Sequence, residues 1–242
     1  MTEPRKPSPT PDGRKLPKRG RHALLKDLWV DLMRVGTSSV VNVEPERIRG
    51  IDTVRVTGLV SRTGRLVVAA LSVVLEAESI FEIGTYAGET TWVLAHNQPK
   101  ARVYTLDLPG PEAVAVAGLE LTHPQYFAQW DRGRYFHGTP EAERITQLFG
   151  DSATFDFAPY AGKMDLVYID ASHSYSDVRS DTKAAFGMLS ELGTIVWDDY
   201  TYYPGVYAYV NEIGLTLDHP IFHVLGTRLA VYSRWNVLSP GR

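Results

Sequence analysis

The chain has 242 residues, 44% hydrophobic and 11% aromatic, with 25 Lys and Arg against 28 Asp and Glu and no cysteine. That length can bury a full core without covalent staples, and the lack of cysteine excludes disulfides and thiolate metal sites. The longest mainly apolar stretch, residues 66–75 with Ser72 inside it, is about half of the roughly 20 residues that cross a bilayer, and no apolar run follows the basic N-terminus as in a secretory signal; a cytoplasmic protein is the expectation.

The net charge of −3 is unevenly spread. Residues 1–22 hold seven Lys or Arg against Glu3 and Asp12, together with five of the 15 prolines, so they carry +5 and leave −8 to the rest. Such a stretch has little to bury and reads as a disordered leader. Basic tails can bind nucleic acid, but no aromatic residue is interleaved for base stacking and the body is acidic, so a solvated leader is expected. Next, Leu24, Leu25, Leu28, Leu32 and Val35 recur at helical spacing before Gly36. This stripe is expected to cover the main domain or a second copy, which favours a homodimer. Residues 23–62 read as a helical cap segment, mixed in pattern after residue 36, and residues 63–242 as the domain proper.

Residues 65–78 read as a buried helix. Strands are expected at 80–83, 103–107, 145–149, 166–169 and 194–197, with helices over about 88–96 and 175–191. Short β-branched strands alternating with helices indicate an α/β, Rossmann-like doubly wound sheet, mostly parallel and covered on both faces. The connection over 108–144 is long and carries Tyr126, Phe127, Trp130, Tyr135 and Phe136; it reads as an aromatic insertion forming a lid or binding wall. Residues 221–232 turn at Gly226-Thr227 and read as an antiparallel hairpin at the sheet edge.

Ligands of open α/β sheets bind outside the carboxyl ends of the strands. The first such end is Glu82-Ile83-Gly84-Thr85-Tyr86-Ala87-Gly88-Glu89-Thr90, where two glycines allow a tight turn and close backbone approach. It has neither the three-glycine dinucleotide fingerprint nor the lysine of a phosphate loop. The second strand ends on Asp107, whose carboxylate can accept both hydroxyls of a ribose; a loop-capping Asp is the alternative. The third ends Gly150-Asp151-Ser152, suited to an adenine edge or to ordinary turn chemistry. The fourth and fifth end Tyr168-Ile169-Asp170-Ala171-Ser172-His173-Ser174-Tyr175 and Trp197-Asp198-Asp199-Tyr200.

In this order, the glycine loop, Asp107, Gly-Asp-Ser, Ile-Asp-Ala-Ser-His-Ser-Tyr and Trp-Asp-Asp-Tyr resemble the class I S-adenosylmethionine-dependent methyltransferases. The branch they are most similar to contains small-molecule O-methyltransferases, including sugar-modifying enzymes of antibiotic pathways, and the similarity spans roughly residues 60–235. The resemblance implies that the loop from Gly84 to Gly88, with Glu82, Thr85, Tyr86 and Thr90, lies under the methionine part of the cofactor. It implies that Asp107, next to Leu108, holds the ribose, that Asp151 and Ser152 face the adenine, and that Asp170 also contacts the cofactor. It further implies Mg²⁺ on Asp170, Asp198 and Asp199. Neighbouring strands about 4.8 Å apart can converge carboxylates on one hard cation, although Asp198 and Asp199 point to opposite faces unless the chain bends.

His173 follows the fourth strand on the ligand side, where an imidazole suits a general base, as Asp170 would; local hydrogen bonding is the alternative. His223 reads as structural. Tyr200, Tyr202 and Tyr203 read as an acceptor wall or as core packing. The expected reaction is direct transfer of a methyl group to the hydroxyl of a small molecule, a sugar, phenol or polyketide-type natural product. The rival readings are a nicotinamide-dependent oxidoreductase and a non-catalytic cofactor-binding protein.

Overall fold

The computed structural model describes residues 38–57, 63–110 and 131–235. The leader over 1–22, the stripe over 23–35 with the homodimer inferred from it, and Tyr126, Phe127 and Trp130 of the insertion lie outside the described residues.

Short runs of apolar and β-branched residues form the strands β1 (Val41–Val43), β2 (Ser79–Ile83), β3 (Arg102–Asp107), β4 (Ile145–Phe149), β5 (Met164–Ile169), β6 (Leu189–Trp197), β7 (Phe222–Val224) and β8 (Ala230–Ser233). Between them lie the α-helices α1 (Thr63–Val74), α2 (Glu89–Asn97), α3 (Tyr175–Met188) and α4 (Pro204–Gly214). Local chemistry marks their starts. The Ser174 hydroxyl caps α3 by accepting from the Asp177 amide at 3.2 Å, and Pro204 opens α4, where its missing N–H is no loss. In α2, Glu89 lies in the first turn, at the positive end of the helix dipole.

The strand order is β1-β7-β8-β6-β5-β2-β3-β4. Every neighbouring pair is parallel except the two made by β8, which is antiparallel to β6 and to β7. The chain lays β3 and β4 on one side of β2, then returns to lay β5 and β6 on the other. The order therefore reverses between β2 and β5, and that switch point is where an open sheet leaves a crevice for a ligand. Strand alternation divides the core: Leu166 and Tyr168 pack with α1 and α2, whereas Val167 and Ile169 pack with α3 and α4.

Four features differ from the sequence reading, the first being that the helix expected over 65–78 is α1, which already ends at Val74. The terminal hairpin is antiparallel as expected, but it is not at the edge: β8 is inserted between β6 and β7, and β7 is covered by β1. The reason is burial, since all four residues of β8 are buried, as an interior strand demands. The sheet also begins before residue 63, because Val41 pairs with Phe222. Lastly, α3 stops at Met188; Leu189 is extended and pairs with Met164, so β6 takes residues assigned to the helix. Among the described residues no helix is long and apolar enough to cross a membrane.

Candidate active site

Gly84 stands at the switch point with φ of +106°. A Cβ there would fall well inside 3.0 Å of the Asp170 carbonyl and reach 2.9 Å from Ala171 Cα. The glycine is thus required by the closeness of the β2 and β5 ends to each other, which is a different reason from the ligand approach expected. Gly88, at φ +80°, is similarly bound: a Cβ would lie 2.6 Å from Phe136 Cε1 and 2.8 Å from Gly133 Cα. The turn over 131–138 is clasped to this loop by the amides of Gly133 and Tyr135, which donate to the carbonyls of Tyr86 and Ala87 at 3.1 Å each. Glu141 fastens its far end, accepting from Trp92 Nε1 at 3.1 Å and pairing with His96 Nδ1 at 2.8 Å.

Asp107 ends β3 beside the loop. Its Oδ2 accepts from the Tyr86 amide at 2.7 Å and its Oδ1 from the Leu108 amide at 2.8 Å. Arg132 Nε lies 3.1 Å from the same Oδ2, with its guanidinium over the Tyr86 ring. Burial pushes Asp107 above the usual carboxylate range, with Arg132 acting against it. Both oxygens already serve protein groups, so this carboxylate has less capacity for two ribose hydroxyls than its position alone suggests. Asp151 accepts from the Ala153 amide at 2.9 Å, capping its own turn. Ser152 reaches instead toward Asp181, an acid within α3 that burial pushes up to about 7.

The fourth and fifth strand ends meet. Asp199 has φ of +57°, a left-handed bend that lets consecutive acids approach the same neighbour. Tyr168 OH donates to Asp198 Oδ2 at 2.7 Å and to Asp170 Oδ2 at 3.4 Å. Asp198 Oδ1 accepts the Asp199 amide at 2.7 Å, so both Asp198 oxygens are bonded within the protein. Asp199 turns the other way: Oδ2 lies 3.2 Å from His173 Nε2, and Oδ1 accepts from Arg228 Nη1 at 2.9 Å. One ligand atom each from Asp170, His173 and Asp199 lie within 4.8 Å of one another. Of the three acids expected to converge, Asp170 and Asp199 are in this group; Asp198 is not, and His173 stands in its place.

Electrostatics sets these groups apart. Asp170 is held well above the usual carboxylate range by burial, then by the charges of Asp198, Asp199 and Glu82. Asp199 is held below it: burial works against this, but His173 and Arg228 prevail. Glu82 is pushed up to about 7 by burial, although Thr105 and Thr91 donate to it. Among the tyrosines, Tyr203 stacks on His173 with centroids 3.9 Å apart, and the Arg228 guanidinium lies 4.1 Å over Tyr202. Tyr200 is a core residue, 3% exposed, and its hydroxyl accepts from Asn211 Nδ2 at 3.0 Å. His223 is structural, facing Asn42 Oδ1 at 2.9 Å and the Thr227 carbonyl at 3.1 Å.

At the glycine loop a cleft of about 80 Å³ is lined by Glu82, residues 84–90 and Asp170, together with Arg65, Arg134 and Tyr135. Tyr168, Arg228, Arg132 and Arg65 were not singled out from sequence. Only Tyr168 carried a signal, since a residue two before Asp170 shares its face of the strand. The three arginines come from segments remote in sequence from the strand ends that they serve.

Comparison with known proteins bears on the chemistry. Residues 81–200 match the model of a methyltransferase domain family. No curated protein matches the sequence. A provisionally named caffeoyl-CoA O-methyltransferase of Staphylococcus aureus is similar in fold, with 16% identity and a TM-score of 0.53 over 87% of this chain and 98% of that one. The O-methyltransferase TomG of Streptomyces achromogenes, involved in tomaymycin synthesis and solved with S-adenosylmethionine, has 16% identity and a TM-score of 0.50 over 89% and 97%. A methyltransferase of Geobacter sulfurreducens has 13% identity and a TM-score of 0.50 over 91% and 98%. The strand order, with the glycine loop at its switch point, is that of a Rossmann-like α/β sheet, and the match marks residues 81–200 as similar to a methyltransferase domain.

Proposed function

We propose that the protein methylates a hydroxyl group of a small molecule, with His173 as general base. The observation that carries this reading is the placement of His173 beside the strand-end acids, backed by Asp199 and stacked on Tyr203. Bound S-adenosylmethionine supplies an electrophilic methyl group, so the protein's tasks are to align the acceptor, exclude water and receive one proton. Asp199 orients the imidazole, and Arg228 anchors Asp199 from the turn before β8. Tyr202 and Tyr203 present aromatic surface on this side, suited to a ring-bearing acceptor. TomG acts in tomaymycin synthesis; a hydroxylated natural product is the corresponding acceptor class for this chain. Incubating the protein with S-adenosylmethionine and panels of sugars, phenols and polyketide-type alcohols should yield S-adenosylhomocysteine and a methyl ether. Transfer to amines alone would refute the oxygen acceptor. The Asp107→Ala variant should bind S-adenosylhomocysteine about tenfold or more weakly, the worth of a lost charged hydrogen bond; unchanged affinity in a calorimetric titration would remove Asp107 from the cofactor site.

A second reading follows from the grouping of Asp170, His173 and Asp199. Two carboxylates suit Mg²⁺ or Mn²⁺, the imidazole being a better ligand for Mn²⁺ than for the oxygen-preferring Mg²⁺, and burial together with the neighbouring acids, which raise Asp170, leaves a charge imbalance that a cation relieves. The residues therefore fit a divalent ion, held by these three. There it would stabilise the acceptor oxygen's anion. Turnover that disappears in excess chelator and returns with Mg²⁺ or Mn²⁺ is the outcome this reading requires; undiminished turnover leaves His173 as the base with no metal.

A further inference from the structure

We propose that Arg65 binds the carboxylate of the cofactor's methionine portion. The inference rests on the S-adenosylmethionine reading and names the group that recognises the amino-acid end. The cleft at the glycine loop, about 80 Å³, is well below the roughly 300–1,000 Å³ of sites that enclose a whole ligand, and so matches one end of the cofactor. Its lining has the charges of a zwitterion in mirror image. Glu82 and Asp170 form an acidic side suited to the ammonium and the sulfonium, and the carboxylate carried on the same carbon as the ammonium needs a cation.

Two arginines line the cleft, and their settings differ. Arg134 is exposed and lies 5.4 Å over the Tyr135 ring. Arg65, in the first turn of α1, is built in: its side chain is 17% exposed, Nη1 lies 2.8 Å from Glu89 Oε2, and Nε donates to Thr90 Oγ1 at 3.1 Å. Its charge is close enough to Glu82 and Asp170 to lower both of them. Arg65 is therefore fixed against the first turn of α2, in the lining of the same cleft as the two acids. A guanidinium so placed can meet a carboxylate in the planar geometry that a lysine lacks.

The test compares two ligands on the full chain by calorimetric titration: S-adenosylhomocysteine, and 5′-methylthioadenosine, which keeps the adenosyl thioether but has no amino-acid end. Arg65→Ala should weaken S-adenosylhomocysteine by about 10- to 100-fold, the range of a charge-assisted hydrogen bond, and leave 5′-methylthioadenosine within about twofold. Arg65→Lys should recover part of the loss. Equal weakening of both ligands would overturn the proposal, because Arg65 would then act by shaping the glycine loop; so would no weakening of either. Should the alanine variant fail to fold, Arg65→Met keeps the aliphatic stem and reads the same contrast. Wild-type protein that binds neither ligand would refute the cofactor reading itself, an outcome separate from any behaviour of the variants.

Discussion

Gly84→Ala is expected to unmake the cofactor site and destabilise the fold by roughly 3 kcal/mol or more, since it combines a disfavoured backbone region with overpacking. The added methyl would meet the Asp170 carbonyl and Ala171 Cα, which are backbone atoms of the adjoining strand end and cannot turn aside as a side chain would. Either β2 and β5 separate at their tips or Gly84 leaves its conformation, and both displace Asp170 from the cleft. Denaturant unfolding together with S-adenosylhomocysteine titration measures the two effects. Gly138→Ala is the control, because Gly138 has φ of +75° but nothing within 4 Å of its Cβ position. Wild-type stability and affinity in Gly84→Ala would show that the two strand ends are not in the contact described.

His173→Ala is expected to lower kcat by about 10²- to 10⁴-fold, the usual contribution of a positioned general base. The imidazole has Asp199 on one nitrogen and Tyr203 on one face, and it is not among the residues lining the cleft at the glycine loop, which include Glu82, Asp170 and Arg65. Affinity for S-adenosylhomocysteine should therefore stay within a few-fold of wild type. Excess Mg²⁺ should leave the defect in place, which separates loss of a base from loss of a metal ligand. Unimpaired single-turnover methyl transfer by the variant would assign the proton to another group.

The parts of this molecule that were legible in sequence are those governed by local pattern. Strands β2 to β5 are short β-branched runs, and their ends matched to within two residues because Gly84, Gly150 and the acids after them punctuate the chain. The convergence of Asp170, Asp199 and His173 was also foreseeable, since adjacent parallel strands place their ends together. What escaped was non-local. No periodicity within residues 37–62 announces β1, whose three residues gain their strand only by pairing with Phe222–Val224. The placement of β8 depends on both of its faces being covered by other segments. Asp199 joins Asp170 and His173 while Asp198 does not, because a left-handed residue, not strand alternation, decides where each carboxylate goes. Tyr200 lies in the core rather than the acceptor wall because Asn211 and Ser38 occupy its hydroxyl.

The insertion of β8 has a consequence for biosynthesis. Ala230 follows Trp197 by 33 positions, so on the ribosome β6 is finished long before its partner emerges. Throughout that interval the outer backbone of β6 is an unzipped border open to pairing with other nascent chains. Arg228 arrives in the turn that delivers β8, and its own carbonyl accepts the Tyr200 amide at 2.8 Å. Closure of the sheet and the pairing of Arg228 with Asp199 are thus a single late event, and a polypeptide stalled before it holds neither.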